Sequence, residues 1–597
     1  MPSIAYDTLA AWSNYHLSVG DSADGTTLPQ LRVRDLGRFY AADLAGDDGL
    51  ARFAATGAKL SEHVARVLAL ANAPFPGPPV SPELGMVGRG WSFSALIGSR
   101  YSQLLCDGLA GTGTLADGDR NPNCRTPARC IALTSGGTRL RELVNWAKPR
   151  GLTVETSGTH LGPSIAGGFA TASHGSKIGF GGLQNAVLGM HLIVGHGEHV
   201  WIEPSASPLL SDTALEKLAI GGIPPRLVRC DRRFADALVH LGAMGLVNGV
   251  ALRLVEDRLY APLRAKHAID PGFLARIDAG DFGGIARRIG CESWPAFYEL
   301  TIDPHAPFAE AALHNLYFAT GAARTGDGCH KGHCAGEFIA RCAAGYDPTN
   351  GLGQRPAAGA ECADPADAAL RAILDGATSA FARYAADGHF QEFHGGFDPD
   401  GPDVPKFHWD ELHPDEITGG FAGALYNASF AIPRELTSKA IPALAKAVEG
   451  LPASFVFTLR FVSQPAGTLA FTRFAENTVI EIDGLSPLVC ELFAQAAESP
   501  EAPPDMPDAA AFRALKPVLP DGVAAVRGAL DRAGIPHSMH WGKLGDLDRV
   551  KVAADFGQVG CDGLSPLGRW QATREDLLPE SSRGLFRNAH IIALGLV

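Results

Sequence analysis

No apolar run in the chain reaches the roughly 18 residues that a membrane-crossing helix needs, so the sequence offers no membrane span. Positive charge is in deficit. The 51 Lys and Arg residues face 64 Asp and Glu, a formal net charge of −13. Without a basic face, recognition of nucleic acid phosphates is excluded as a reading. The opening stretch MPSIAYDTLAAWSNYHLSVG lacks a basic segment followed by an apolar one, so no secretory signal is expected. No internal repeat is visible. Cysteines are few and scattered, eleven in 597 residues, an odd number. They read as free thiols of a reducing compartment, which makes the cytoplasm the expected location. What is present is ordinary for a globular protein with a sizeable core: 46% hydrophobic and 19% charged residues. The length predicts two or more domains, or one large domain with an insertion.

Residues 83–260 alternate short strands and helices. RCIALTSGG reads as a strand running into a Gly-Gly turn, and TRLRELVNWAK as a helix with Leu140, Leu143, Val144 and Ala147 on one face. LTVET is a strand. VLGMHLIVGHGEHVWIEP is a hairpin turning at Gly195–Gly197. RRFADALVHLGAMGLVNGVALRLVED is a helix, a glycine-rich turn and a strand. Past residue 258 the texture changes. A helix is expected after Asp364-Pro365, and two Pro/Asp-rich loops follow, HGGFDPDGPDVPKFHWDELHPDE and ESPEAPPDMPDAAA.

The informative stretch is SGTHLGPSIAGGFATASHGS, residues 157–176, with five glycines and six Ser or Thr. That is too many backbone-permissive residues for a strand or helix interior, and the middle is too apolar for a linker. Glycine lets main chain lie close to a ligand. Consecutive free N–H groups form a nest for anions, and hydroxyls add donors to phosphate. The stretch suits a bulky, flat, phosphorylated cofactor, although alone it also fits a plain connector. It is flanked by two more glycine-punctuated segments, MVGRGWSFSALIG (86–98) and HLGAMGLVNGVALRLV (240–255).

The order and residues of these three segments resemble the PCMH-type FAD-binding domain of the vanillyl-alcohol oxidase superfamily. The C-terminal third resembles its sugar-lactone and alditol oxidase branch. NASFAIPRE is similar to a central strand, FTLRFV to an arginine strand, HWGKL to a flavin-side lysine loop and LLPESSRGLFRN to a closing segment. The resemblance is weak over 263–410 and absent before about residue 80. It implies an α+β fold. An FAD-binding domain would take residues 1–258, with its core at 83–258. A substrate (cap) domain would take 259–545, an antiparallel sheet flanked by helices lying over the flavin. Residues 546–597 would return to the FAD domain.

Carried over residue by residue, Gly88, Arg89, Gly90, Ser92, Phe93 and Ser94 would hold the FAD phosphates. Gly158, Ser164, Gly167, Gly168, Thr171, Ser173, His174 and Gly175 would line the flavin, and Gly245 and Val247 would reach adenine or pyrophosphate. Relatives often carry, where Trp91 stands, a histidine bonded to the flavin. Trp91 has no nucleophilic nitrogen for that bond, so FAD is expected to be non-covalent, with Trp91 packed beside the dimethylbenzene edge. His160 is the remaining conceivable attachment point.

The resemblance further implies oxidation of an alcohol by hydride transfer to flavin N5. Reoxidation by O₂ would give H₂O₂, and another electron acceptor is equally compatible. Arg460 would stabilise alkoxide character, and Glu481, Asp483 or His540 would be the base. Lys543 would lie beside flavin N1 or the substrate hydroxyl. Relatives often have Glu two residues before the arginine; here Thr458 stands there, and Glu481 or Asp483 is left to supply the carboxylate. The size of the second domain keeps a sterol, terpenoid or glycoside open beside a small polyol, and type II cholesterol oxidases belong to the same superfamily. No metal is assigned to this site. Cys329, His330, His333 and Cys334 could bind zinc or be plain thiols, and Cys124 and Cys130 carry the same ambiguity. A flavin- or zinc-binding scaffold without turnover is the non-enzymatic alternative.

Overall fold

A computed structural model describes residues 4–9, 12–16, 18–19, 33–41, 47–71, 81–309, 311–321, 379–387, 390, 396–413, 425–500, 502, 504, 506–560 and 563–597. The Cys329–Cys334 cluster and the helix expected after Asp364-Pro365 lie outside the described residues. Cys124 and Cys130 are free thiols, and Cys124 Sγ donates to the Thr126 carbonyl at 3.6 Å. Among the described residues, no helix is long and apolar enough to cross a membrane.

Three main sheets make the α+β architecture. The first runs Ile4–Thr8, Asp35–Ala41, Ser102–Gly108, Leu84–Val87, and its last three strands are parallel neighbours. The second has six strands in the order Arg226–Arg229, Glu198–Glu203, Val187–Gly195, Leu246–Arg253, Ile131–Ser135, Thr112–Thr114. The helix Gly49–Ala71 packs on it through Leu50, Phe53, Leu60, Val64 and Val67, one apolar stripe at helical spacing. The contact is close enough to need glycine, since a Cβ on Gly249 would sit 2.2 Å from the Phe53 ring.

The third sheet has eight strands, every pair antiparallel, in the order Phe407–His408, Leu259–His267, Ala312–Ala319, Phe297–Ile302, Phe455–Ser463, Glu476–Leu485, Leu425–Pro433, Ser538–Met539. Side chains alternate across a strand. In Phe455–Ser463, Phe457, Leu459 and Phe461 enter the apolar core with Leu444 and Leu530 of the helices Thr437–Val448 and Val518–Arg532. Thr458 and Arg460 face the other way. In Glu476–Leu485, Ile480 and Ile482 join the same core, which turns Glu481 and Asp483 to the side of Arg460.

The elements read from the hydrophobic pattern form: the helix Leu140–Ala147, the hairpin Val187–Gly195 with Glu198–Glu203, and the helix Asp231–Leu238 followed by the strand Leu246–Arg253. LTVET shrinks to Leu152–Thr153, paired with Val255–Glu256. One expectation is overturned. The glycine-rich stretch 157–176 does contain a helix interior, Ile165–Ala170. Ser164 Oγ caps it by accepting from Gly167 N at 3.3 Å. Ile165 and Phe169, four apart on one face, are fully buried, and a Cβ on Gly168 would meet Leu183 at 2.7 Å. Close packing, rather than helix propensity, places the glycines there.

Gly249→Val should destabilise the protein by about 1–3 kcal/mol, the usual cost of overfilling a packed core. Urea unfolding measures it, and Phe53→Leu in the same chain should recover part of the loss if the Phe53 ring is what the added methyls strike.

Candidate active site

A cavity runs between the glycine-rich loops and the polar face of the eight-stranded sheet. Gly88, Arg89, Gly90, Trp91, Ser92, Phe93, Gly158, Ser164, Gly167, Gly168, Thr171, Ser173, His174, Gly245 and Val247 line it, and so do Arg460, Glu481, Asp483, His540 and Lys543. Ser94 and Gly175 do not. Ser94 Oγ is turned to the Trp541 carbonyl, donating at 2.8 Å, and the Gly175 carbonyl accepts from His174 Nδ1 at 3.0 Å.

At the glycine-rich end the walls are largely main chain. A Cβ on Gly88 would overlap Ser164 Oγ at 1.9 Å, and one on Gly136 would meet the Val247 carbonyl at 2.3 Å. The hydroxyls of GRGWSFS have a use that their spacing does not announce. Ser92 Oγ donates to Gly542 O at 3.2 Å and Phe93 N to the same oxygen at 2.7 Å, so with Ser94 they knit this loop to HWGKL. Arg89 is paired with Glu142 at 3.0 Å and Asp107 at 3.7 Å. His240 Nδ1 accepts from Gly242 N at 3.0 Å, so its proton sits on Nε2. That atom is buried on the cavity wall and has no partner among the described residues. Burial holds this imidazole down to about 4, hence neutral. A main-chain cradle with an unmet donor fits a bound group rich in acceptors, as a dinucleotide is.

The opposite end is a charge network laid out by strand register. Arg460 Nη2 meets Glu299 at 2.8 Å and its Nε meets Glu481 at 2.8 Å. Lys543 Nζ donates to the second oxygen of Glu481, and Asn427 Nδ2 donates to Asp483. Glu299 stands directly across from Arg460, Glu481 from Thr458, and Asp483 from Asn427. Glu481, across from Thr458 on the neighbouring strand, sets a carboxylate against Arg460. Glu299 and Asn427 are apparent only once the strands pair.

These groups are buried, and their charges sort them. Burial pushes Glu481 up, but Arg460 and Lys543 outweigh it and hold the carboxyl far below its usual range. Asp483 is pushed up to about 7 by burial and by the Glu481 charge. Burial, with Lys543 second, drives His540 well below 6.5. The two central histidines are opposite tautomers. His540 Nδ1 accepts from Gly542 N at 2.9 Å, so its Nε2 carries the proton. His174 Nδ1 donates to a carbonyl, so its buried Nε2 offers a lone pair. His540, expected as a base, thus presents a donor instead.

Other lining residues went unread in the sequence. His16 comes from the N-terminal segment, where no motif pointed to it. Arg587 and Asn588 belong to the closing segment, which the resemblance did mark.

No family model matches the chain. It is 29% identical over 129 residues to an alditol oxidase of Streptomyces sp. (strain IKD472 / FERM P-14339), a match that covers 22% of this chain and spans about a quarter, 25%, of that relative. The solved cholesterol oxidase of Brevibacterium sterolicum superposes over 99% of this chain and 97% of its own, with a TM-score of 0.57 at 11% identity. A solvent-stable cholesterol oxidase superposes over 99% and 98%, with a TM-score of 0.56 at 12% identity. The chain thus shares the fold of these solved cholesterol oxidases, and one stretch of its sequence is similar to an alditol oxidase.

Proposed function

We propose that the protein is an FAD-dependent oxidoreductase that oxidises a CH–OH group of a polyhydroxylated substrate, with O₂ as electron acceptor. The observation that carries this reading is the two-ended cavity: main chain and an unmet donor at one end, six polar side chains at the other. FAD, when bound, supplies the hydride acceptor, and the protein orients and tunes it. Gly88, Gly136, Gly167 and Gly245 would lie against the cofactor, with His240 and Arg587 toward its acceptor groups. Trp91 offers no attachment nitrogen, so the cofactor is held non-covalently.

The polar end favours a substrate dense in hydroxyls, a polyol or glycoside. Asn427, Arg460, Glu481, Asp483, His540 and Lys543 share one wall, and an apolar sterol against them would strand buried polar groups without partners. Hydroxyls can donate to the carboxylates and accept from the ammonium and guanidinium.

Asp483 is the group we assign to receive the substrate proton. Glu481 is committed to two cations and too acidic to hold a proton, while His540 presents N–H. Asp483 accepts from Asn427, with Thr458 beside it, and titrates near neutrality, where a general base works best. Arg460 is fixed between Glu299 and Glu481, so it orients oxygen atoms rather than adding net positive charge.

The decisive test is anaerobic flavin bleaching across polyols, glycosides and sterols. Polyols or glycosides should bleach the flavin and sterols should not; bleaching by sterols alone would reverse the substrate assignment. Asp483 is neutral below its pKa and accepts a proton only as carboxylate. The reduction rate should therefore rise with pH through about 7. Asp483→Asn should remove that dependence and slow reduction by about 10²–10⁴, and an unchanged profile would move the base elsewhere. Denaturation in acid should release all FAD into the supernatant and leave the protein mass without a flavin adduct.

A further inference from the structure

No sequence motif gives the N-terminal segment a role, yet it is built onto the cavity. Asn14 Nδ2 donates to Ser92 O at 2.8 Å, and Ser18 Oγ donates to Phe93 O at 2.6 Å. Tyr15 N donates to Gly90 O at 2.8 Å. Asn14 Oδ1 folds the segment back on itself, accepting from Ser18 N at 2.9 Å and Val19 N at 3.0 Å. The segment and the GRGWSFS loop thus share three bonds to consecutive parts of that loop. Gly90 makes the approach possible: it sits at φ +67°, and a Cβ there would be 3.3 Å from Asn14 Cα.

The side chains continue the contact. The Tyr15 ring stacks on Trp91 with centroids 4.3 Å apart and 8° between planes. His16 stacks on Phe93 at 3.5 Å and 12° and stands edge-on to Trp91 at 5.7 Å and 86°. His16, Trp91 and Phe93 line the cavity together, and His16 is buried. Four rings from two distant parts of the chain form one cradle.

We propose that Asn14, Tyr15, His16 and Ser18 form a cofactor clamp, in which His16 completes the aromatic wall against the flavin and Asn14 and Ser18 lock the GRGWSFS loop in its binding shape. The inference rests on the FAD reading above. Physically, a loop fixed before binding loses less freedom when the cofactor arrives, and the gain appears mainly as slower release. In a chain with Trp91 at the attachment position, this retention does the holding that a bond would otherwise do.

The test is FAD release from the full-length holoprotein, followed as the rise of free-FAD fluorescence after dilution. Asn14→Ala and Ser18→Ala leave the lining intact and should release FAD roughly tenfold faster, the scale of one or two lost hydrogen bonds. Asn14→Asp keeps the acceptor for Ser18 and Val19 but loses the donor to Ser92, so it should release FAD faster than the parent and no faster than Asn14→Ala. His16→Ala should speed release and also shift the bound flavin's absorption bands, which a purely structural role would leave in place. Release at the parent rate in all four variants would overturn the clamp while leaving the FAD reading standing. A parent protein that neither carries nor takes up FAD would overturn both.

Discussion

Arg460 is a fully charged group with almost no contact with water, and the reaction end of the cavity is arranged around that constraint. A buried guanidinium is tolerated when carboxylates and hydrogen bonds replace its hydration. Here Glu299 and Glu481 do so from the two strands on either side, each at 2.8 Å. Glu481 then needs its second oxygen satisfied, and Lys543 reaches over from the HWGKL loop to do it. On its other side, Glu299 is held by Arg264 and Asn315. Asp483 is buried next to the Glu481 charge, and burial first and that charge second hold its proton near neutral pH.

The same lysine loop joins the two ends of the cavity. Its main chain receives Ser92, Phe93 and Ser94 through Gly542 and Trp541, and its side chain receives Glu481. A displacement of GRGWSFS would therefore be felt at Lys543 and, through Glu481, at Arg460. The N-terminal segment fixes the far side of GRGWSFS. Fixing the GRGWSFS loop and aligning the polar cluster are in this way one mechanical problem, solved by hydrogen bonds to main chain.

The glycines have two separate physical jobs in this molecule. At Gly88 and Gly136 a side chain would collide with the opposite wall, so their bareness shapes the cavity. At Gly168 and Gly249 the missing Cβ lets a helix and a strand sink into the core against Leu183 and Phe53. Composition cannot separate these uses, because both appear as a glycine among apolar neighbours.

The sequence by itself determined the period-two alternation that puts Arg460, Glu481 and Asp483 on polar faces, the apolar stripes of the helices, and the loop residues that bound a cofactor-sized cavity. These are local properties, readable from spacing along a few residues. Tertiary structure decided the rest. Which carboxylate meets Arg460 depends on register between strands, and the neighbour of Arg460 across one edge, Glu299, is 161 positions away in the chain. Whether a histidine offers a proton or a lone pair depends on whether Nδ1 faces an N–H, as in His540, or a carbonyl, as in His174. Whether Ser94 faces a ligand or a loop depends on Trp541, hundreds of residues later. Tyr15 and His16 carry no motif at all, and the packing of their rings on Trp91 and Phe93, with the hydrogen bonds of Asn14, Tyr15 and Ser18, brings the N-terminal segment to the site. Local pattern fixes which face a side chain points to; pairing between distant strands and loops fixes what it finds there.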